Sequence, residues 1–439
     1  MKAMTILVFN SGSSSLKFSF FRMESSLFDE DIDPESFTET LLNASALAET
    51  FELKILLEGE IEFSEQNNDT NIDATKDTTK NKNNFHIKDA SHKTLLATVI
   101  SVTNHADAVP HIIRYMTHFD TPMPHAIAHR VVHGGPNLVQ HCFINDKVVR
   151  ELALMSAFAP LHNQAALEII QFARQAFPKL PQIACFDTTF HAHLPDLARV
   201  LPIAKALQLL GIQRYGFHGL SCESVVTQLN NAAHLRSAKR LIIAHLGSGC
   251  SVTAVKEGQS VDTSMGFTPS GGVMMGTRCG DIDPSVLIYL MREKNYDCNA
   301  LEALINHQSG LLGVSGLSGD MRILHKVAAT NANAQLAIAM FCYAVAKQIG
   351  AMIIALNGID TLVFTGGIGE HDATVRQMIC DQLGCFKIVL NTEKNHIVNT
   401  NIIHTISALN SSCAVRVVAS QENVQIARHV AILLDMFPA

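Results

Sequence analysis

Tryptophan is absent from this 439-residue chain, and charged residues make up only 17% of it. The 33 basic and 40 acidic residues give a formal charge of −7, and the cations gather into no cluster. A surface that tracks nucleic-acid phosphates needs such a cluster, so nucleic acid is excluded as the expected partner. None of the ten cysteines forms a C-x-x-C pair; the closest, Cys380 and Cys385, have no histidines nearby at metal-ligand spacing. Scattered thiols of this kind point to reduced, buried side chains. The N-terminal residues lack the long apolar core and small-residue cleavage site of a signal peptide. The most apolar helical stretch, Leu336 to Leu356, is interrupted by Lys347 and Gln348 and reads as a core helix rather than a membrane span. The expectation is a cytoplasmic protein with no membrane partner.

What is present is apolar bulk and glycine-rich loops. Hydrophobic residues reach 47%, and 439 residues exceed one core, so two domains are expected. The chain is organised around Asp262 to Pro284 (DTSMGFTPSGGVMMGTRCGDIDP), where Gly266, Pro269, Gly271, Gly272, Gly276 and Gly280 interrupt any long helix or strand. Met265, Phe267, Val273, Met274 and Met275 make it too apolar for a linker, and Arg278 is its only cation. An arginine among glycines suits a carboxylate or phosphoryl ligand, since its planar fork can bond an anion twice. The plainer reading is a surface loop with a solvated arginine.

Thr5 to Phe9 reads as a buried strand that breaks at Asn10-Ser11-Gly12-Ser13-Ser14-Ser15 and resumes at Leu16, a hairpin pattern with Lys17 close behind. Leu241 to Val255 repeats the device, and Ser11-Gly12-Ser13-Ser14 aligns with Ser248-Gly249-Cys250-Ser251. A weak internal repeat of this kind is what a duplicated domain leaves behind. Turns so rich in N–H and hydroxyl groups can cradle phosphate, and two of them facing each other would bracket a phosphate chain.

Other stretches add candidates. Ser64 to Lys93, nearly all polar apart from Ile72, Phe85 and Ile87, is expected to be a mobile insertion without chemistry. Ala126 to Pro136 is strand-like with Arg130 inside it, which needs a partner, either a structural salt bridge or a ligand. His129 and His133 are expected to be hydrogen-bonded scaffold. Asn163 is expected to cap a helix running to Ala176. Asp187 follows an apolar run, the strand-end position where α/β folds keep catalytic groups. His218 lies between Gly216 and Gly219, and taken alone it reads as a turn histidine. Thr361 to Glu370 reads as strand then glycine turn, with a helix starting near Asp372, an arrangement friendly to nucleotides.

Ten segments in order carry a resemblance: NSGSSSLK (10–17), HRVVHGG (129–135), APLHN (159–163), FDTTFH (186–191), YGFHG (215–219), HLGSG (245–249), MGFTP (265–269), MMGTRCGDIDP (274–284), SGLSGDMR (315–322) and TGGIGE (365–370). The chain resembles the acetokinase family, a branch of the actin, sugar kinase and heat-shock ATPase superfamily, everywhere except roughly 24–110. The resemblance implies an α/β fold of two duplicated ribonuclease H-like domains with a central cleft. It places residues 1–188 plus 422–439 in an N-terminal domain and 189–421 in a nucleotide-binding domain. It implies reversible phosphoryl transfer between ATP and acetate, giving acetyl phosphate and ADP, with Mg²⁺ or Mn²⁺ and a homodimeric enzyme. By motif match Asp187, His218 and Arg278 would be catalytic, and Arg130, Val132, Leu161, Phe217 and Pro269 would bind the acyl substrate. Lys17, His245, Leu246, Gly247, Ser248, Gly249, Asp320, Met321, Arg322, Gly367, Ile368, Gly369, Glu370 and His371 would hold ATP, with Asn10 and Glu422 at the metal.

Ser248, His371 and Asn423 depart from the common family pattern on the nucleotide or metal side. A carboxylic acid arrives ionised at neutral pH, its pKa being about 4–5 like that of Glu, so the expected role of Asp187 is to orient Mg²⁺ or an arginine. The same chemistry on propionate or butyrate is the nearest rival, because one methylene is worth only about 1–3 kcal/mol in an apolar pocket. A non-transferring ATPase or binding module is the rival from another class; it has no need of Arg130, His218 and Arg278 together.

Overall fold

A computed structural model describes residues 3–12, 15–25, 51–63, 82–156, 160–232, 239–399 and 402–436. The chain divides into two units, Met1–Thr189 with Glu422–Ala439, and Phe190–Gln421.

The first unit is built on an eight-stranded sheet. Its strands are β1 (Ala3–Ser11), β2 (Ser15–Ser25), β3 (Phe51–Glu62), β4 (Lys82–Asp89), β5 (Thr94–Ser101), β6 (Ala126–Val131), β7 (Cys142–Phe143) and β8 (Gln182–Phe186), in the order β5-β4-β3-β2-β1-β6-β8-β7. β1, β2 and β3 run as an antiparallel meander, while β6 lies parallel to β1 and β8 parallel to β6. β1 is apolar on both faces and buried from Thr5 to Ser11, as a central strand covered on both sides must be. The helices His105–His118 and Pro160–Ala176 contribute Ala108, Val109, Ile112, Ile169 and Ala173 to the core around Phe9, Phe18 and Phe20.

The polar stretch expected to be a mobile insertion is corrected in part. Lys82–Asp89 is strand β4, paired with β3 and β5, and Phe85 and Ile87 are buried in the core. The alternation Asn83, Phe85, Ile87 buries one face of a strand whose other face is polar, so low overall hydrophobicity masks a period of two. Residues 64–81 of that stretch, with Ile72, lie outside the described residues.

The second unit has six strands, β9 (Arg240–Leu246), β10 (Cys250–Lys256), β11 (Gln259–Thr263), β12 (Thr361–Thr365), β13 (His404–Thr405) and β14 (Ala414–Val417), ordered β11-β10-β9-β12-β14-β13. β9 is antiparallel to β10 and β10 to β11, while β12 runs parallel to β9 and β14 parallel to β12. The meander-then-parallel order of β3-β2-β1-β6-β8 is therefore repeated in β11-β10-β9-β12-β14. The short repeat in the sequence falls at the equivalent turn of each unit, between β1 and β2 and between β9 and β10. The helix Ala332–Ala355 is long and apolar enough to cross a membrane, but half of it is buried in this unit. Phe341, Val345 and Ile349 face the core, whereas Leu336, Met340 and Tyr343 are exposed.

Candidate active site

In the first unit the site grows from strand ends. Arg130 lies near the end of β6, and Asp187 immediately follows β8. Because β6 and β8 are parallel neighbours, both residues lie at the same, carboxyl end of the strands. Arg130 Nε donates to Asp187 Oδ1 and Oδ2 at 3.1 Å each, and Nη2 donates to Oδ2 at 2.5 Å. Asp187 is fully buried. Arg130 Nη1 donates to Asn10 Oδ1 at 3.0 Å and lies 3.8 Å from Glu422 Oε2. Burial opposes the Arg130 charge, but Asp187 and Glu422 outweigh it and raise the guanidinium pKa. Asn10 Nδ2 donates to Glu422 Oε2 at 3.0 Å and to Asn423 Oδ1 at 2.9 Å, and Asn423 Nδ2 donates to Ser19 Oγ at 2.7 Å.

Val132, just past β6, is buried. Leu161 lies on the helix Pro160–Ala176, with its side chain outside the described residues. Lys17 on β2 is exposed, with Glu60 Oε1 3.9 Å away. Asn163 was expected as a helix cap, and this is corrected. The helix already starts at Pro160, which suits a first turn because its missing N–H has no partner there. Asn163 instead accepts from His133 N–H and donates to His133 C=O, tying the helix to the loop after β6. His129 bonds Gln182 at 2.9 Å, and His133 Nδ1 accepts from Gly135 N–H.

In the second unit the glycine-rich loops converge on the ends of β9 and β12. An added methyl group measures how closely the chain approaches at each glycine. At Gly249 it would lie 3.1 Å from His218 Nε2 and 3.4 Å from Arg278 Nη1, so those two side chains meet the β9–β10 turn side by side. Arg278 Nη1 also donates to Pro269 C=O at 3.2 Å. His218 caps the helix Gly219–Asn231 in the left-handed conformation, φ +57°, a costly backbone state in a non-glycine residue and a frequent mark of functional positions. Its ring stacks on His245 with centroids 4.1 Å apart. His218 Nδ1 lies 3.0 Å from Ser251 Oγ, and His245 Nδ1 lies 2.8 Å from Ser221 Oγ. Cys250 in the same turn stays a thiol, because burial pushes its pKa up to about 12. Phe217 and Pro269 are buried.

The remaining residues expected to hold ATP line neighbouring loops. Gly276 and Gly319 touch backbone to backbone, with a methyl at Gly276 3.0 Å from Gly319 C=O and 3.8 Å from Ser248 C=O. The Gly316–Arg322 loop, the arginine loop and the His245–Gly249 turn are thus in contact. Asp320 caps the helix Met321–Val327, and the exposed Arg322 bonds Asp320 with Nη2–Oδ2 2.6 Å; Met321 is buried below them. A helix, Ala373–Asp381, starts after Asp372 as expected, but the glycine turn before it is not a turn. Gly366, Gly367, Ile368, Gly369, Glu370 and His371 themselves form a short helix, and Asp372 caps the next one. Gly366 makes this possible with φ +78°, packed so close that a Cβ would meet Leu246 C=O at 2.8 Å. Exposed Gly367 faces Gly247, whose methyl would sit 3.9 Å from Gly367 N.

Residue-by-residue reading missed Arg376, Ser221, Ser251 and Ser420. Arg376 is fully buried and donates to Gly369 C=O, Glu370 C=O, Asn395 Oδ1 and Asn395 C=O. Burial lowers its pKa to about 10. A charge eleven residues past Thr365 in an otherwise amphipathic helix carries no local signal that it turns inward to carbonyls.

Half-buried and buried arginines, a stacked histidine pair and glycine turns with inward backbone are the equipment of phosphoryl transfer, where positioning and charge stabilisation dominate. On twice-repeated sheets, these parts define an ATP-using phosphotransferase. A model of the acetokinase family matches residues 60–428, and the chain belongs to that family, whose members are phosphotransferases with a carboxyl group as acceptor. It is 38% identical over 432 residues to the acetate kinase of Acaryochloris marina, covering 97% of this chain and 98% of that one. Similarity to the acetate kinase of Campylobacter lari is 35% over 430 residues, with 97% and 98% covered. Among solved structures, a propionate kinase from Francisella tularensis superposes with a TM-score of 0.78 at 34% identity, over 97% of this chain and 98% of that chain.

Proposed function

We propose that this chain catalyses reversible transfer of the γ-phosphoryl group of ATP to acetate, giving acetyl phosphate and ADP. The observation that carries the reading is the meeting of His218 and Arg278 at the Gly249 turn, two donors suited to the oxygens of a phosphoryl group in transit. In the forward direction an acetate oxygen forms the new bond to phosphorus, and the bond from phosphorus to the bridging oxygen of ADP breaks. Acetate is already ionised, so no base is needed. Asp187 holds the Arg130 guanidinium, and Arg130 holds the acyl carboxylate. Val132, Leu161, Phe217 and Pro269 would accept the methyl group.

A divalent ion, Mg²⁺ with Mn²⁺ as substitute, would offset phosphate charge, and hard oxygen donors suit it. Glu422 offers a carboxylate for such an ion. Asn10 orients that carboxylate through its amide N–H, since its own oxygen accepts from Arg130. His245–Gly249, Asp320–Arg322, Gly367–His371 and Lys17 would serve ATP, making Phe190–Gln421 the nucleotide-binding domain and the other unit the N-terminal domain.

A cytoplasmic homodimer completes the reading. Val286, Ile288, Tyr289 and Met291 on the helix Pro284–Lys294, which buries none of its residues, offer an apolar surface to a second copy. Propionate is the second reading, favoured by the likeness to the Francisella tularensis propionate kinase. The test is acyl phosphate formation from ATP and Mg²⁺ with acetate, propionate or butyrate, trapped as hydroxamate. Highest kcat/KM on acetate is expected, and no product with any short acid rejects the kinase reading.

A further inference from the structure

Ser221 and Ser420 have no part in the roles above, yet their hydroxyls form one chain to His245. Ser420 Oγ donates to Ser221 Oγ at 3.0 Å, and Ser221 Oγ lies 2.8 Å from His245 Nδ1. Ser221 is fully buried on the helix Gly219–Asn231. Ser420 N–H donates to Glu370 Oε1 at 2.9 Å, and the same oxygen accepts Gly366 N–H at 2.9 Å. The segment carrying Ser420 is pinned again on either side, by Gln421 N–H to Ser224 Oγ and by Gln228 Nε2 to Ala419 C=O.

A serine hydroxyl has one hydrogen. The Ser221 oxygen receives the hydrogen of Ser420, which leaves its own hydrogen available to His245 Nδ1. A neutral imidazole that accepts at Nδ1 carries its proton on Nε2. That nitrogen faces the glycine turn, 3.7 Å from a methyl placed on Gly247.

We propose that Ser221 and Ser420 are positioning residues that lock His245 in the Nε2–H form, so that the Gly247–Gly249 turn presents a side-chain donor to an anionic phosphoryl oxygen. Glu370 holds the Ser420 backbone to the short helix Gly366–His371, one carboxylate oxygen accepting the N–H of both Ser420 and Gly366. The catalytic part of this inference rests on the phosphoryl-transfer reading; the tautomer does not.

The experiment uses full-length protein labelled with ¹⁵N-histidine, and His245→Asn identifies the ring signals. Long-range proton–nitrogen spectra of the wild type are expected to show the His245 proton on Nε2 alone. Ser221→Ala should give an averaged pair of nitrogens and lower kcat about tenfold, with KM for ATP changed less than about twofold, as expected for loss of one buried hydrogen bond to a working group. Ser221→Thr, which keeps the hydroxyl, should restore the Nε2–H signal. Ser420→Ala, on a half-buried side chain, should shift the tautomer balance in the same direction and serves if Ser221→Ala does not fold. A wild-type Nδ1–H ring, or ring signals and kcat unchanged in both alanine variants, overturns the proposal. A wild type showing Nε2–H but forming no acyl phosphate supports the tautomer assignment and counts against phosphoryl transfer itself.

Discussion

Arg130 and Asp187 share three hydrogen bonds at the ends of two parallel strands, and the carboxylate of the pair is wholly inside the first unit. A buried pair loses about 3–5 kcal/mol when one partner is removed, because the other charge is left unmatched. Asp187→Asn keeps the shape and one acceptor oxygen while deleting the charge. It is expected to lower kcat at least tenfold at saturating Mg²⁺ (~1.4 kcal/mol) and to reduce the urea midpoint of unfolding. Near-normal turnover would refute an essential role for the Asp187 charge.

Arg278 reaches the β9–β10 turn beside His218. Arg278→Ala should reduce kcat by about 10²–10³, the range seen when one donor to a developing charge is removed, while the ATP dissociation constant changes by less than about threefold. Isothermal titration and steady-state kinetics separate the two; equal losses in both contradict the assignment.

Gly249 leaves room for those two side chains and nothing more. Gly249→Ala would put a methyl 3.1 Å from His218 Nε2, and the neighbours would have to give. Activity is expected to fall about 10²-fold with circular dichroism unchanged, since a displacement of under 1 Å at reacting groups costs that much. Wild-type kcat in this variant would place the reacting phosphoryl group elsewhere.

Arg376 supports the short glycine helix from beneath by bonding two of its carbonyls. Arg376→Met keeps much of the volume but leaves Gly369 C=O, Glu370 C=O and Asn395 short of donors. A stability loss of roughly 3 kcal/mol or more is expected, together with weaker ATP binding. Melting temperature and nucleotide titration check both; an unaffected melting temperature would mean that the arginine contributes little.

Two buried histidines set an acid limit. Burial lowers the pKa of His129 in the first unit and of His191 in the second to about 4, against 6.5 for an exposed ring. Above pH 6.5 the ring is neutral whether folded or unfolded, and stability is untouched. As pH falls from 6.5 towards 4, the unfolded chain takes up protons that the folded one refuses, so stability drops, by up to about 3 kcal/mol per histidine. Urea unfolding at pH 7 and pH 4.5 should show the loss, and His129→Gln should remove part of it. A pH-independent midpoint over that window would reject the buried neutral state.

Much of the fold was legible because apolar runs and glycine turns are local signals. Thr5–Phe9, Leu241–Val255 and Thr361–Thr365 read as strands and are strands. The polar β4 was hidden because half its residues face solvent, and the helical state of Gly366–His371 was hidden because glycine-rich sequence disfavours helix when taken alone. The loops could be named as anion-friendly from composition, but their meeting could not.

By itself, the sequence determined which residue types stand in the turns, the duplicated strand–turn–strand device and the presence of Arg130, Asp187, His218 and Arg278. Chemistry follows residue type, and those types suffice to name the reaction class. Only the tertiary structure decided that Arg130 pairs with Asp187, that His218 and Arg278 meet at Gly249, and that Ser420, Ser221 and His245 form one chain. These partners stand 24 to 199 residues apart, from Ser221 and His245 to Ser420 and Ser221. Strand order and helix packing bring them within hydrogen-bonding reach, and no local pattern records such distances.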